Sequence, residues 1–206
     1  MRTKTLLLTA ALIAAGVATS MAQVYSVNAV GYVKRTAPSG FSILANPLNN
    51  GNNKVSTVLS GVPGGFTVYK FNNATTSFFV NSFDADFGWD DPDQVLAPGE
   101  AAFVLNPKAA VDIVFVGEVA QGNLTTPLPK GFSLAASKVP QAGLLQTDLK
   151  YPAAIGDTVY RYRNNGYLIN SFDDFGWDEE PTVEVAEGFF VLKAATATWS
   201  RTFSVN

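Results

Sequence analysis

The chain contains the stretch NSFDADFGWDD from Asn81 to Asp91 and nearly the same stretch, NSFDDFGWDE, from Asn170 to Glu179. Apart from the additional Ala85 in the first stretch, nine aligned positions are identical. A coincidence of this length is not credible, so the sequence indicates an internal duplication. The rest of the chain is therefore interpreted as two copies of one unit.

The similarity between the copies extends well beyond this stretch. Three further pairs of segments correspond at nearly constant spacing: Gly40–Ala45 with Gly131–Ala136, Thr67–Phe71 with Thr158–Tyr162, and Pro98–Leu105 with Glu187–Leu192. Each copy is about 90 residues long, which is the size of a small domain. The predicted organisation is a signal peptide over residues 1–22, a first β unit over 23–118 and a second β unit over 119–206.

The local pattern within each copy is typical of β-strands. Short runs rich in Val, Ile, Phe, Tyr and Thr alternate with clusters of Gly, Pro, Asn and Asp. This pattern predicts about five to seven strands per unit, arranged as a sandwich or an open barrel. Two segments are predicted to form short helices, Lys54–Leu59 and its counterpart Ala142–Leu149. The predicted fold class is all-β, with two tandem, internally duplicated antiparallel β-sandwich or barrel-like units after the signal peptide.

The beginning of the chain has the features of a secretory signal peptide. Arg2 and Lys4 precede an apolar run, Leu6–Val17, and small residues end at Ala22. The run is too short to span a membrane and is followed by a cleavage pattern, so the mature chain is expected to begin near Gln23. We expect bacterial export, with the mature protein secreted, periplasmic or on the cell surface. No later apolar stretch is long enough to predict a membrane span.

The composition excludes several kinds of chemistry. The sequence has neither histidine nor cysteine, which excludes Ser-His-Asp catalysis, cysteine nucleophiles, His-ligated zinc and disulfides. The formal net charge is −3 and no basic cluster is present, which argues against nucleic acid as a partner. Two-carboxylate glycoside hydrolysis is the one common enzyme class left. Its candidates, Glu100, Glu184 and Glu187, adjoin glycine turns and are expected to be solvated loop charges. We therefore predict a protein that is not an enzyme.

The repeated Phe-Gly-Trp-Asp corner has a structural interpretation. A glycine between two large aromatic residues suits a turn that requires a positive φ. In this interpretation both rings cap the core and the aspartates accept hydrogen bonds from turn N–H groups. A buried tryptophan alone is a sufficient reason to retain the motif, since its loss usually costs about 3–5 kcal/mol.

Calcium binding is a second interpretation of the same corner. Carboxylates alternate around a glycine in the first copy, and hard cations prefer such oxygen ligands. The second copy lacks the Asp-x-Asp alternation, so the first copy is the better candidate. Calcium is the only cofactor that the sequence suggests. The candidate ligands are Asp84, Asp86, Asp90, Asp91 and Asp93.

Carbohydrate binding is a third interpretation. An exposed aromatic ring stacks on the face of a sugar while neighbouring polar groups bind its hydroxyls, and secreted β-sandwich modules often work in this way, which is an argument from fold alone. The candidate residues are Trp89, Asp90, Tyr167, Trp177 and Asp178.

The repeated motifs also resemble those of a known group of proteins. They read Gly-Phe-Ser-Ile/Leu, Thr-Val-Tyr-Lys/Arg-aromatic, Phe-Gly-Trp-Asp and Pro-Gly-Glu-x-x-Phe-Val-Leu, with Glu187-Gly188 replacing Pro-Gly in the second copy. In these features the chain resembles secreted bacterial β-modules, usually repeated on extracellular or cell-surface proteins of unassigned function. The resemblance covers nearly all of the mature chain. Its motifs are structural and therefore imply no catalytic or ligand-binding residue.

These observations favour an exported, non-enzymatic structural or interaction protein of the cell envelope or extracellular matrix. The alternatives are a carbohydrate-binding module and a calcium-stabilised surface or adhesion module. The expected partner is an envelope or matrix component, or a polysaccharide. Self-association is a further expectation, because Tyr25–Asn28 and Phe203–Asn206 are similar segments that would compete for one sheet edge.

Overall fold

The computed structural model describes residues 29–205, so the predicted signal peptide, Tyr25–Asn28 and Asn206 lie outside the described residues. The described chain is almost entirely β-structure, with one short helix, α1 (Val55–Val58). No helix in residues 29–205 is both long and apolar enough to cross a membrane. The strands are β1 (Val30–Ala37), β2 (Gly40–Ala45), β3 (Thr67–Asn72), β4 (Ser77–Asp84), β5 (Gly88–Trp89), β6 (Ala101–Asn106), β7 (Val111–Glu118), β8 (Gly122–Leu128), β9 (Gly131–Ala136), β10 (Gly143–Leu144), β11 (Thr158–Arg163), β12 (Gly166–Asp173), β13 (Gly176–Trp177), β14 (Thr182–Val183), β15 (Gly188–Lys193) and β16 (Ala197–Phe203).

Two five-stranded antiparallel sheets have the same topology. The first has the order β2-β6-β3-β4-β5 and the second the order β9-β15-β11-β12-β13, so corresponding segments of the two copies occupy corresponding places. Each sheet is accompanied by a two-stranded ribbon, β1 with β7 and β8 with β16. The predicted all-β class with two antiparallel, sandwich-like units is confirmed, and neither unit is a closed barrel.

One of the two predicted helices is present and the other is not. Helix α1 lies within the predicted segment Lys54–Leu59. Its predicted counterpart, Ala142–Leu149, is wrong: Gly143 and Leu144 form strand β10, which pairs with β14. The N–H groups of Asp148 and Leu149 then both donate to the carbonyl of Leu144, which closes a single wide turn in place of a helix.

Each unit has its own apolar core between its sheet and its ribbon. In the first unit Phe66 and Val104 from the sheet side pack with Phe115 of β7. In the second unit Phe189 of β15 packs with Trp199 of β16. The alternation of side chains along a strand places these residues on one face and leaves the other face of each sheet for a different contact.

The second faces of the two sheets pack against each other. Strand β2 contacts β11 and β15, while β9, the counterpart of β2, contacts β3 and β6; β6 also contacts its own counterpart, β15. Each contact between the units therefore has an equivalent in which the roles of the two units are exchanged. This is the pattern of a two-fold interface, here formed by two units of one chain. The buried centre of this interface includes Ile43, Ala101 and Ala136. The N–H of Ala45 also donates to the carbonyl of Ala186 across it, at 3.0 Å.

Candidate functional site: an aromatic cleft between the two units

The repeated Phe-Gly-Trp corner is a tight hairpin at the edge of each sheet, formed by β4–β5 and β12–β13. Asp84 Oδ1 accepts hydrogen bonds from the N–H groups of Asp86 and Phe87, at 2.8 and 3.1 Å. Gly88 and Gly176 have φ values of 85° and 103°, a conformation that favours glycine. The positive φ and the turn-binding aspartate expected from the sequence are therefore both present.

The two tryptophans of the corners differ in how far they are buried. The Trp89 side chain is only 9% exposed and packs edge-on against Phe66, with ring centroids 6.5 Å apart. Trp177 is half-buried, packs against Phe172 at 5.2 Å, and donates its indole N–H to Gln146 Oε1 at 2.9 Å. Trp89 is therefore too buried to stack on a sugar, and a sugar that approached the exposed part of Trp177 would compete with its contacts to Phe172 and Gln146.

The phenylalanines of the corners lie outside the core. Phe87 is 92% exposed and Phe175 is 99% exposed. The expectation that Phe and Trp cap the core together is wrong for Phe, because each Phe occupies the tip of its hairpin, beyond the edge strand. Only the Trp that follows the glycine turns back under the sheet.

The candidate calcium ligands are not brought together. Their carboxylates serve the local backbone and one lysine: Asp90 accepts from the N–H of Ser82 at 3.1 Å, Asp91 accepts from the N–H of Asp93 at 3.1 Å, and Asp93 accepts from Lys54 Nζ at 2.7 Å. Asp178, in the second corner, likewise accepts from the N–H of Ser171. Within residues 29–205 no three acidic side chains form a group that suits a metal ion.

A cleft between the two units is lined almost entirely by aromatic rings. It has a volume of about 360 Å³, within the usual range for small-molecule sites. Both units contribute to it, and the rings contact one another across the junction: Phe71 and Phe78 lie 5.6 and 6.3 Å from Phe190, measured between ring centroids. The lining residues are Phe71, Thr76, Phe78, Phe132, Tyr160, Tyr167 and Phe190.

Strand pairing places these rings on one face. In the hairpin β3–β4, Phe71 lies opposite Phe78, and in the hairpin β11–β12, Tyr162 lies opposite Tyr167. These residues alternate with Val68 and Val159, which point into the unit cores. Tyr167, a carbohydrate candidate from the sequence, is the only such candidate in the cleft lining. Sequence reasoning missed the other rings, although the repeated Val-Tyr-Lys-Phe and Val-Tyr-Arg-Tyr pattern signals strands with two apolar faces.

The chemistry of the cleft is that of binding by stacking. Phe78, Phe132 and Tyr167 each keep an exposed part, so a flat ring or another apolar group has aromatic faces to contact. Burial, and to a lesser extent the neighbouring Tyr162, raises the pKa of Tyr167. Its hydroxyl therefore stays protonated at neutral pH and is able to donate a hydrogen bond. The lining holds no carboxylate, amine or guanidinium group.

A second, polar cleft lies at the corresponding place on the other side of the junction. It has a volume of about 540 Å³ and its lining includes Arg35, Phe41, Tyr162, Arg163 and Glu184. Arg35 of the first unit forms an ion pair with Glu184 of the second. Arg35 is paired with Glu184 and Arg163 with Glu187, so neither guanidinium group is free to bind an anionic ligand. The ion pair of Arg35 with Glu184 links the two units at this cleft.

The carboxylates considered for hydrolysis are occupied in turns and ion pairs. Glu100 accepts from the N–H of Ala97 at 2.7 Å, and Glu187 in the same way accepts from the N–H of Glu184 at 2.8 Å. Glu187 also binds Arg163 through both of its oxygens, at 2.7 and 2.5 Å, and its side chain is buried. The expectation of solvated loop charges is therefore wrong for Glu187, because a repeated turn folds it back beneath the sheet.

Acid is expected to weaken the ion pair between the units. The hydrogen bond from Arg35 holds the pKa of Glu184 below its ordinary value. Such a group stabilises the fold above its ordinary pKa, and this contribution is lost as the pH falls through the folded-state pKa. Thermal unfolding of the wild type and of Glu184→Gln should therefore differ slightly at pH 7 and converge in acid, once the pH is below the folded-state pKa of Glu184. A difference in melting temperature that stays constant with pH would contradict this assignment.

Comparisons of the chain with protein-family models, with curated proteins and with solved structures found no match. The resemblance to secreted bacterial β-modules therefore rests on the repeated motifs themselves.

Proposed function

We propose that the chain is an exported, non-enzymatic structural or interaction protein of the cell envelope or extracellular matrix, and that it binds its partner in the aromatic cleft. The observation that carries the proposal is the cleft itself: six aromatic rings from both units converge on a concave surface that remains open to solvent. Apolar pockets at the junction of two units are common binding sites. Aromatic side chains also dominate the binding energy of many interfaces.

Two further observations support a role in binding without catalysis. The N-terminal sequence has the pattern of a secretory signal peptide, which directs the mature protein out of the cytoplasm. The acidic side chains that a hydrolase would need are engaged by turn N–H groups and by Arg163 and Lys70. The lining of the aromatic cleft is apolar apart from the hydroxyl groups of Thr76, Tyr160 and Tyr167. It therefore contains no pair of carboxyl groups that could act as proton donor and acceptor.

Carbohydrate binding is the second candidate, and it now belongs to the cleft instead of the Phe-Gly-Trp corners. Tyr167 and Tyr160 lie edge to face, with ring centroids 6.4 Å apart, and Phe132 lies 5.8 Å from Tyr160. This arrangement gives a ring face for stacking beside phenolic hydroxyls that hydrogen-bond to sugar hydroxyls. A polysaccharide of the envelope or matrix would satisfy both candidate functions.

Self-association through the terminal segments stays a prediction. Strand β16 ends at Phe203, which pairs with Gly122, while residues 25–28 lie outside the described part of the chain. A mature protein that stays monomeric at high concentration, both intact and after deletion of residues 23–30, would contradict it.

Substitutions in the cleft are expected to abolish most of the binding. Binding is measured by co-sedimentation with peptidoglycan sacculi and with insoluble polysaccharides such as chitin and cellulose. We expect Tyr167→Ser and Phe132→Ser each to weaken binding about tenfold or more, because losing a central aromatic contact typically costs over 1 kcal/mol. Both side chains are partly exposed, so the fold should tolerate these changes.

The matched controls are Phe87→Ser and Phe175→Ser, which remove equally large rings from the hairpin tips. These variants should bind as the wild type does. The proposal fails if the tip variants lose binding while the cleft variants retain it, or if the wild type binds none of these materials.

A further inference from the structure

The core of the second unit contains a fully buried amine and carboxylate pair. Lys193 ends strand β15, and Asp157 immediately precedes β11, so the two residues are neighbours across the β11–β15 ladder. Lys193 Nζ contacts Asp157 Oδ2, and both side chains are 0% exposed. Two other lysine–aspartate pairs, Lys34–Asp112 and Lys54–Asp93, lie on the surface and are open to solvent.

The surroundings of this pair are aromatic. Lys193 Nζ lies 5.2 Å from the centre of the Tyr151 ring, and that ring packs edge-on against Trp199 at 5.5 Å and Phe189 at 6.2 Å. An ammonium and a carboxylate lose most of their hydration in such a site, and their attraction only partly offsets the cost. A reaction that removed both charges would therefore be favoured here over the same reaction in water.

The hydrogen bonds around the pair already match those of an amide. Lys193 Nζ donates to the carbonyl of Pro152 at 3.0 Å, and Asp157 Oδ1 accepts from the N–H of Ala194 at 3.1 Å. An amide that joined Nζ to Cγ would keep one N–H, directed at Pro152, and one carbonyl oxygen, Oδ1, bound by Ala194. Each polar group of the product therefore has its partner in place, as a buried amide requires.

We propose that Lys193 and Asp157 condense to form an intramolecular isopeptide bond. The Nζ–Cγ bond forms and the Cγ–Oδ2 bond breaks. Two of the three ammonium protons pass to Oδ2, which leaves as water, and the third remains as the amide N–H. The reaction balances without an oxidant, a reductant or an outside proton, and the water is released beside the N–H of Ala154, which donates to Oδ2 at 2.9 Å.

Tyr151 is the residue that positions the amine. Its ring lies beneath Nζ, and burial, together with the charge of Asp157, raises the pKa of its hydroxyl. The phenol therefore remains protonated, and the protons that the step requires come from the ammonium group of Lys193, which the ring holds in place. The hydroxyl has no hydrogen-bond partner within residues 29–205.

The first unit provides an internal comparison. The positions that correspond to Asp157 and Lys193 are Phe66 and Asn106. Asn106 Nδ2 donates to the carbonyls of Ala37 and Ala109, at 3.2 and 2.9 Å, so no amine meets a carboxylate there. The chain should therefore form one such bond, in the second unit alone. It would link adjacent strands covalently in a chain that has no cysteine for a disulfide.

Mass spectrometry of the full chain tests the proposal without relying on any variant. The denatured wild type should be lighter than its sequence by one water, about 18 Da. After trypsin digestion the bond should appear as a branched peptide in which Tyr151–Arg161 is joined to Asn164–Arg201, with no cleavage at Lys193. Lys193→Arg and Asp157→Ala should each have the full sequence mass, whereas the surface control Lys54→Ala should still lack one water.

A wild-type mass equal to that of the sequence would show that the pair is an ion pair only and would overturn the proposal. A loss of one water that maps to another site would also overturn it. Cyclisation of Gln23 at the N-terminus of the processed chain is told apart by its mass, because it releases ammonia and not water. Recovery of the branched peptide from the wild type but not from Tyr151→Phe would establish that the hydroxyl participates, and recovery from both would leave the bond in place with the ring alone positioning the amine.

Discussion

Replacing Trp89 with alanine is expected to destabilise the protein by about 3–5 kcal/mol, because the indole is buried against Phe66 and Phe83 in the first core. Replacing Phe87, two residues earlier in the same corner, is expected to change the stability by less than about 0.5 kcal/mol, because its ring is exposed. Urea unfolding followed by circular dichroism measures both variants. We therefore expect a large difference in the free energy of unfolding between two substitutions within one short motif.

The second copy provides a graded control for this contrast. Trp177 is only half-buried, so Trp177→Ala should cost less than Trp89→Ala, and Phe175→Ala should resemble Phe87→Ala. Equal losses for Trp89→Ala and Phe87→Ala would show that both rings cap the core, as expected from the sequence, and would contradict the placement of Phe87 at the hairpin tip.

Replacing Gly188 with alanine is expected to destabilise the contact between the units by about 1–3 kcal/mol, the usual cost of overpacking. A Cβ at Gly188 would overlap the Cβ of Ala101 and would lie 2.7 Å from Cγ2 of Ile43. The strand register makes Ala101 the counterpart of Gly188, because Ala101 pairs with Ala45 and Gly188 with the equivalent Ala136. The sequence alignment of Gly188 with Gly99 is therefore wrong. Equivalent positions of the two copies meet at this point between the units. There is room for one methyl group at this point but not for two.

The exchanged double variant tests this explanation. In Ala101→Gly with Gly188→Ala the single methyl group moves to the other unit, so much of the stability lost in Gly188→Ala should return. Urea unfolding of the two single variants and the double variant gives the coupling between the positions. Strictly additive effects would show that the two residues do not share one space.

The sequence predicted the features that depend on local chemistry. The repeated Asn-Ser-Phe-Asp segments form β4 and β12, Asp84 binds the turn N–H groups, and Gly88 has a positive φ, all of which follow from the residues involved. Helix α1 also appears where it was expected. The helix predicted over Ala142–Leu149 is absent, because the pairing of β10 with β14 decides the conformation of that segment. A pairing between distant segments is not visible in the local sequence.

The aromatic cleft was largely hidden from sequence reasoning because it exists only where the two units pack together. Phe71 and Phe190 come from different copies, and neither sequence neighbourhood indicates that they meet. Burial of Glu187 and exposure of Phe87 also depend on how a turn is placed against the sheet, which residue type alone does not determine. Tyr167 was identified because it begins the predicted strand that leads into the second Phe-Gly-Trp corner.

The central claim is that binding takes place in the cleft and that the Phe-Gly-Trp corners hold the fold. Hydrogen–deuterium exchange with and without soluble peptidoglycan fragments or chitin oligosaccharides tests it most directly. We expect slower exchange in the turn over residues 72–76 and in strand residues 166–169, which border the cleft, with no change in the hairpin tips at 84–88 and 173–176. Protection confined to those hairpin tips would contradict it.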